Sequence, residues 1–129
     1  MKPYWDTSAL VEAIGNLALR RRVHEERPYT RAHSLAEAFS VLTGGRLGIR
    51  LDAKDAAAAL ENLSQDLEFV DLTGKEVVAA LKTARSRGVR GGKIHDFIHA
   101  KTAEHQKATM IVTLDQDFAL LTALKIDLL

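Results

Sequence analysis

Short β-rich runs alternate with longer helical stretches along this chain, and this alternation restricts the fold more than any other feature of the sequence. The clearest run is TMIVT at 109–113, which consists of apolar or β-branched residues and is typical of a buried parallel strand. Four further strands are predicted at 2–5, 29–32, 68–72 and 126–129, with helices between them. Strands separated by helices indicate βαβ units. We therefore predict a three-layer α/β/α domain with a central parallel sheet.

Composition narrows the classes of function. The 129 residues suffice for a single domain, 1–129, and no linker or repeat divides them. The chain has no cysteine, which excludes disulfide scaffolds, zinc fingers and thiol nucleophiles. No apolar stretch is long enough for a signal peptide or a membrane span, so we expect a cytoplasmic protein. The net charge is +1, so nucleic-acid binding would require a local basic patch.

Acidic residues follow the predicted strands or open the helices after them. They are Asp6, Glu37, Asp96, Asp115 and Asp117. In an open parallel sheet the working site lies beyond the carboxyl ends of the strands, so these positions can converge at one edge. Carboxylates brought together repel one another and raise each other's pKa values. A hard divalent cation removes that penalty, and oxygen ligands favour Mg²⁺ or Mn²⁺ over zinc.

Each of these acids also has a purely structural interpretation. The SLAE segment at 34–37 has the form of a capping box, in which Glu37 would bond the backbone of the first residue. Asp6 can be an N-cap, and Asp96 can complement a helix dipole. Asp115 and Asp117 can be turn residues. Spacing alone does not decide between the two interpretations.

Four segments, taken together and in order, carry a more specific signal. They are YWDTSALVE at 4–12, SLAEAFSVLT at 34–43, GGKIHDFIHA at 91–100 and IVTLDQDF at 111–118. With these segments the chain resembles the PIN-domain ribonucleases, and most closely the VapC-type toxins of toxin–antitoxin pairs. The resemblance implies a PIN-like fold and metal-dependent cleavage of RNA by an activated water. It also implies an antitoxin partner and a homodimer.

The resemblance assigns roles to individual residues by their positions in the motifs. It implies a catalytic set of Asp6, Glu37, Asp96 and Asp115, in which Glu37 reaches the ion through a water or orients the attacking water. The implied ligands of Mg²⁺ or Mn²⁺ are Asp6, Asp96, Asp115 and Asp117, with the choice between the last two left open. Hydroxyl residues that support the first and fourth acids would be Thr7 and Thr113.

The HDFIH segment at 95–99 allows a different metal site. His95 and His99 are four residues apart and lie on one face of a helix, as in the HExxH motif of zinc hydrolases. Such a site needs a third ligand and a glutamate long enough to reach the bound water. In the PIN interpretation Asp96 faces the site instead, and His99 lies near it.

A basic stretch precedes Asp96. Between residues 82 and 93 the chain has five basic side chains and no acidic one. The predicted RNA-binding residues in this stretch are Arg85, Arg87, Arg90 and Lys93. A solvated helix end is the structural alternative. For the whole chain, the alternative to a nuclease is a catalytically silent PIN-like module that binds nucleic acid or protein.

Overall fold

Five parallel strands form one sheet in the computed structural model, which describes residues 2–45, 48 and 50–129. The order across the sheet is β3-β2-β1-β4-β5, and every pairing is parallel. The strands are β1 (Tyr4–Trp5), β2 (Tyr29–Thr30), β3 (Glu68–Phe69), β4 (Met110–Thr113) and β5 (Lys125–Leu128). The predicted α/β class with a central parallel sheet is confirmed.

Helices connect the strands, and local capping signals set several of their starts. Asn16 and Asp52 cap two helices through their side chains, and Thr73 forms the predicted capping box with Glu76. None of the helices within the described residues is long and apolar enough to cross a bilayer. The helices are α1 (Thr7–Ile14), α2 (Leu17–Glu26), α3 (His33–Gly44), α4 (Ala53–Ser64), α5 (Gly74–Ser86), α6 (Lys93–His105) and a 3₁₀ helix (Gln116–Leu120).

The alternation of side chains along the central strands creates two apolar layers. Trp5 and Val112 lie in a buried cluster with residues of α1 to α4. Their strand neighbours, Tyr4 and Ile111, lie in a second cluster with residues of α5, α6 and the 3₁₀ helix. Because successive side chains of a strand point to opposite faces, both faces of the sheet are covered, and the predicted three-layer arrangement is confirmed.

The topology fixes where the site lies. From β1 the chain builds the sheet in one direction through β2 and β3, and then returns to add β4 and β5 on the other side of β1. The switch point of the sheet therefore lies between β1 and β4. Asp6 directly follows β1, and Asp115 lies two residues beyond β4. A crevice at the carboxyl ends of these two strands is where such folds bind ligands.

Some predicted elements differ from those observed. The predicted strands at 29–32 and 68–72 shorten to two residues each, since β3 is an exposed edge strand that pairs with β2 at only two positions. The sequence at 118–124 favours a short helix, and the structure has a 3₁₀ helix at Gln116–Leu120, which starts earlier because Asp115 caps it. The loop expected over 46–51 falls partly on residues 46, 47 and 49, which lie outside the described residues.

Candidate active site

A cavity of about 270 Å³ opens at the carboxyl ends of β1 and β4. Four of the five predicted acids line it, whereas Asp117 lies outside its wall. Glu12 is also on the wall, although the sequence favours an ordinary exposed helix acid at this position. The acidic lining residues are Asp6, Glu12, Glu37, Asp96 and Asp115. The cavity therefore brings together carboxylates from α1, α3, α6 and the loop after β4.

Asp6 is the most enclosed of these acids, with 4% of its surface exposed. Its Oδ1 accepts hydrogen bonds from Ser8 Oγ at 2.7 Å and from the Ala9 backbone N–H at 3.0 Å. Its Oδ2 accepts one from Thr113 Oγ1 at 2.7 Å. Burial raises the pKa of Asp6 above its usual value, and these hydrogen bonds oppose the rise only in part. Asp6 is thus the N-cap of α1 and also lines the cavity, so the cap does not remove it from the candidate site.

One of the two supporting hydroxyls implied by the resemblance, Thr113, lies where expected, and the other, Thr7, does not. Thr113 Oγ1 donates to Asp6 and accepts from the backbone N–H of Asp115, so it links the first and fourth acids. Thr7 does not support Asp6, since its Oγ1 donates to Glu37 Oε1 at 3.2 Å. Ser8, to which the motifs assign no role, takes the place expected for Thr7. The sequence signal for this role of Ser8 is local, since Ser8 is a hydroxyl residue two positions after the N-cap aspartate.

Glu37 does not form the capping box that the SLAE pattern allows. Helix α3 begins at His33 with no side-chain cap. Glu37 Oε1 instead accepts from Thr7 Oγ1 and lies 3.1 Å from His99 Nε2. Burial would raise the pKa of Glu37, but the hydrogen bonds from His99 and Thr7 outweigh it and hold the pKa below its usual value. Glu37 is therefore an ionised carboxylate at the wall of the cavity.

Asp96 lies in the first turn of α6, and Lys93 lies one turn before it. Burial and the neighbouring charge of Asp115 raise the pKa of Asp96. Lys93 Nζ lies 3.9 Å from Asp96 Oδ2, 3.8 Å from Asp115 Oδ2 and 3.3 Å from Asp117 Oδ2. The hydrogen bond to Asp117 and the charge of Asp115 raise the pKa of Lys93 in turn. An ammonium group therefore lies among three carboxylates.

His99 is buried and forms part of the wall of the cavity. Tyr4 Oη lies 2.6 Å from its Nδ1, and Glu37 Oε1 lies 3.1 Å from its Nε2. His95, one turn earlier, is exposed. Both ring nitrogens of His99 are already engaged by protein groups, so the pair does not offer the two free nitrogens that a zinc site of the HExxH kind requires. The expectation that His99 lies near the acidic site agrees with the geometry, whereas no sequence motif includes Tyr4 in the site.

The acids of the cavity can be compared with the donor set that a metal ion requires. Within residues 2–45, 48 and 50–129, no three histidine, aspartate or glutamate side chains already make a group that could hold a metal ion. The donor set consists of carboxylate oxygens. Burial raises the pKa values of Asp6 and Asp96, and the charge of Asp115 adds to the rise at Asp96; a bound cation would relieve this penalty. The Lys93 ammonium supplies one positive charge at this position. These features fit a hard divalent ion such as Mg²⁺ or Mn²⁺.

We expect Lys93→Gln to tighten the binding of Mn²⁺. The substitution removes a positive charge that lies within 4 Å of three carboxylates, and at that distance like charges repel measurably even near a protein surface. Isothermal titration calorimetry would measure the change, with Lys82→Gln as the matched control at an exposed lysine on α5. An unchanged or weaker affinity in Lys93→Gln would show that the ammonium does not compete with the metal.

The basic stretch before Asp96 divides into two kinds of residue. Arg85 and Arg90 are exposed. Arg87 donates from Nη2 to the Leu120 carbonyl at 2.8 Å and from Nη1 to the Leu121 carbonyl at 3.2 Å, and its guanidinium lies 5.6 Å from the Phe97 ring centre. Arg87 therefore fastens the end of α5 to the 3₁₀ helix. The guanidinium of Arg87 is engaged in this way although the residue is exposed, and its role in binding RNA stays a prediction.

Comparisons with known proteins agree with this geometry. The sequence model described as "PIN domain" matches residues 4–124. The crystal structure of PAE2754 from Pyrobaculum aerophilum superposes with a TM-score of 0.76 at 20% identity, covering 98% of this chain and 89% of that one. At this identity the likeness shows the fold alone. The comparison with curated proteins gives no match. With its five parallel strands and acidic cavity at the switch point, and with the family match over nearly all of its length, the chain belongs to the PIN domain family, whose members are typically nucleases.

Proposed function

We propose that this protein is an endoribonuclease that depends on Mg²⁺ or Mn²⁺. The observation that carries the proposal is the convergence of Asp6, Glu37, Asp96 and Asp115 on one cavity at the switch point of a PIN-domain sheet. The carboxylates that line the cavity are of the kind that hold a hard divalent ion. The choice of RNA as the substrate rests on the resemblance in the four motifs.

The proposed mechanism divides the work between the ion and the chain. A divalent ion, when bound, stabilises negative charge on the phosphate and makes water a stronger acid. Asp6, Asp96 and Asp115 would hold it, and Asp117 would join them as a further ligand once Lys93 moves away. Glu37 has a lowered pKa and is ionised near neutral pH, so it can accept a hydrogen bond from the attacking water and orient it. Because water is the nucleophile, the ribose 2′-hydroxyl takes no part.

A second cavity supports a path for the RNA backbone. It measures about 290 Å³ and is lined by Arg90, Lys93 and Asp117 among others. Lys93 also contacts Asp96 and Asp115 of the first cavity. A strand that contacts Arg90 and Lys93 through its phosphates would therefore pass directly beside the acids. Arg85, Arg90 and Lys93 are the proposed phosphate contacts.

The salt dependence of RNA binding tests this path. Arg85→Gln combined with Arg90→Gln should weaken binding and flatten the dependence of log K on log salt. On a single strand the slope should fall by about 0.7 for each phosphate that the protein no longer neutralises. Arg21→Gln with Lys54→Gln is the matched control, since both residues are exposed and lie on other helices. If the slope stays the same in the first pair, the basic stretch is a solvated surface.

Arg87 should respond differently from its neighbours. Arg87→Gln removes two charged hydrogen bonds to the 3₁₀ helix, and we expect a loss of stability of about 1–2 kcal/mol in chemical unfolding. Its effect on the salt slope should be small. A change in slope as large as that of Arg90→Gln would instead show that Arg87 contacts the RNA backbone.

A direct assay separates the nuclease from the catalytically silent alternative. The purified protein is incubated with labelled single-stranded and hairpin RNA in Mn²⁺, and a parallel sample contains EDTA. We expect cleavage in Mn²⁺ that EDTA prevents. Binding without cleavage in either condition would support a module that has kept the acids but lost turnover.

We further propose that the protein acts in the cytoplasm as a toxin that an antitoxin protein neutralises, and that it forms a homodimer. The acidic cavity has an apolar side made by Val11, Val41 and Leu114, and 44% of the Leu114 surface is exposed. An apolar segment of an antitoxin could cover this side and block access to the acids.

Expression of the chain alone should arrest growth, and light scattering should give the mass of a dimer. Normal growth at high expression of active protein would argue against the toxin role.

A further inference from the structure

A chain of three side chains leads from the sheet to the cavity. Tyr4 lies on β1, His99 on α6 and Glu37 on α3. Tyr4 Oη lies 2.6 Å from His99 Nδ1, and His99 Nε2 lies 3.1 Å from Glu37 Oε1. Tyr4 is fully buried, and the His99 side chain is 3% exposed. Neither Tyr4 nor His99 is part of the acid set described above, although His99 touches the wall of the cavity.

The direction of these hydrogen bonds follows from the chemistry of the three groups. An ionised carboxylate only accepts hydrogen bonds, so a bond to Glu37 requires the proton to be on Nε2. A neutral imidazole with Nε2–H has Nδ1 as an acceptor. The Tyr4 hydroxyl is then the donor at 2.6 Å. A phenol has an ordinary pKa of about 10, so Tyr4 is protonated at neutral pH and is able to donate.

We propose that His99 is a positioning residue for Glu37, and that Tyr4 sets the tautomer in which His99 donates from Nε2. This inference rests on the proposed nuclease function and extends it to two residues outside the set of acids. Thr7 Oγ1 donates to the same Glu37 oxygen at 3.2 Å. Both donors therefore hold Oε1, and no hydrogen bond occupies Oε2 among the residues that the structure describes. The second oxygen remains available to orient water.

The burial of Tyr4 and His99 explains why this arrangement suits catalysis. A glutamate side chain on a helix surface ordinarily samples several rotamers, and fixing them costs conformational entropy. Here the core fixes the positions of Tyr4 and His99, and the hydrogen bond from His99 then restricts the rotamers of Glu37. Residues that orient a working carboxylate typically change activity by about 10- to 100-fold when they are removed.

The tautomer of His99 can be measured without RNA or metal. Long-range ¹H–¹⁵N correlation spectra of the ¹⁵N-labelled protein should show His99 with a proton on Nε2 and none on Nδ1. Tyr4→Phe should change the Nδ1 shift of His99, whereas Tyr29→Phe, the matched change on β2, should not. A proton on Nδ1 alone, or an imidazolium protonated on both nitrogens, would overturn the assignment.

Steady-state kinetics tests the positioning role. His99→Leu should lower kcat for RNA by about 10- to 100-fold and leave KM within a few-fold. His99→Gln should restore most of the rate, since a glutamine amide can place an N–H near the position of Nε2. His105→Gln is the matched control, since His105 also lies on α6 and contacts a glutamate, Glu76, outside the cavity. Equal losses in His99→Leu and His99→Gln, or no loss in either, would overturn the proposal.

The two tests separate failure of this inference from failure of the proposed function. If the wild-type protein does not cleave RNA, the nuclease proposal fails whatever the spectra show. In that case the Nε2–H tautomer and its response to Tyr4→Phe would still establish the chain of hydrogen bonds to Glu37. If the protein cleaves RNA and the tautomer is wrong, the nuclease proposal stands and the role of His99 does not.

Discussion

Asp6→Asn is expected to reduce RNA cleavage by about 10²- to 10³-fold, the scale found when one electrostatic contribution to a transition state is lost. Asparagine keeps the size of the side chain but removes the negative charge that would attract the divalent ion. Initial rates on a labelled RNA in Mn²⁺, measured at equal protein concentration, would give the ratio. In cells, the same substitution should relieve any growth arrest caused by the wild-type chain.

The loss in Asp6→Asn should not come from unfolding. Asparagine is as good an N-cap as aspartate, so it can still accept from the Ala9 backbone N–H. Removing a buried carboxylate with a raised pKa also offsets part of any lost hydrogen bonding. We expect the free energy of unfolding to change by less than about 1 kcal/mol. Asp52→Asn is the matched control, an exposed N-cap on α4, and full activity in Asp6→Asn would remove this residue from the metal site.

Mn²⁺ or Mg²⁺ is expected to stabilise the wild-type protein. An ion that binds only the folded state contributes about 2.7 kcal/mol at a hundredfold excess over its Kd. Thermal unfolding should therefore shift upward with added metal, and NaCl at equal ionic strength should not reproduce the shift. The increase should shrink strongly in Asp96→Asn. Asp55→Asn provides the control. Asp55 also lies in the first turn of a helix, but it is not one of the residues that line the cavity.

Without metal, Asp96→Asn should raise the thermal unfolding temperature of the protein at neutral pH. The pKa of Asp96 is raised above its ordinary value of 3.8, so the folded state binds more protons than the unfolded state in that range. The contribution of this carboxyl to stability is favourable below pH 3.8 relative to neutral pH, and it is lost as pH rises through the folded pKa. Asp96→Asn should therefore melt higher than wild type at pH 7. The difference should disappear as pH falls below about 3.8.

Much of the fold can be predicted because its signals are local. The TMIVT run identifies β4, and Asp52 and Thr73 mark the starts of α4 and α5 as observed. Parallel pairing then brings the residues after β1 and β4 to one edge of the sheet. For this reason the meeting of Asp6 and Asp115 at one cavity follows from their positions relative to the strands.

The details of the site depend on contacts between distant parts of the chain. The SLAE pattern allows a capping box for Glu37, but Glu37 instead contacts His99, 62 residues away, and Thr7 on α1. Tyr4 and His99 are 95 residues apart and meet only because α6 packs on the face of the sheet in which Tyr4 is buried. Local patterns rank the options available within one helix, and they carry no information on which partner the tertiary fold brings near.

The partners of surface arginines are equally impossible to predict from local sequence patterns. Arg87 has the appearance of one more basic residue in a solvated stretch. Its role depends on the carbonyl groups of Leu120 and Leu121, which are free because a 3₁₀ helix ends there. The earlier helix α2 gives a parallel case, where Arg22 bonds Asp127 of β5 across 105 residues. Neither pairing has a sequence signal.

The chemical nature of the cleaved ends tests the central claim most directly. Purified wild-type protein is incubated with an RNA of defined sequence in Mn²⁺, and the products are analysed by mass spectrometry, with an EDTA sample beside it. Attack by water activated at the acidic site predicts a 5′-phosphate and a 3′-hydroxyl in Mn²⁺, and intact RNA in EDTA. A 2′,3′-cyclic phosphate formed in EDTA would mean that the ribose 2′-hydroxyl is the nucleophile, and it would contradict the mechanism proposed for this cavity.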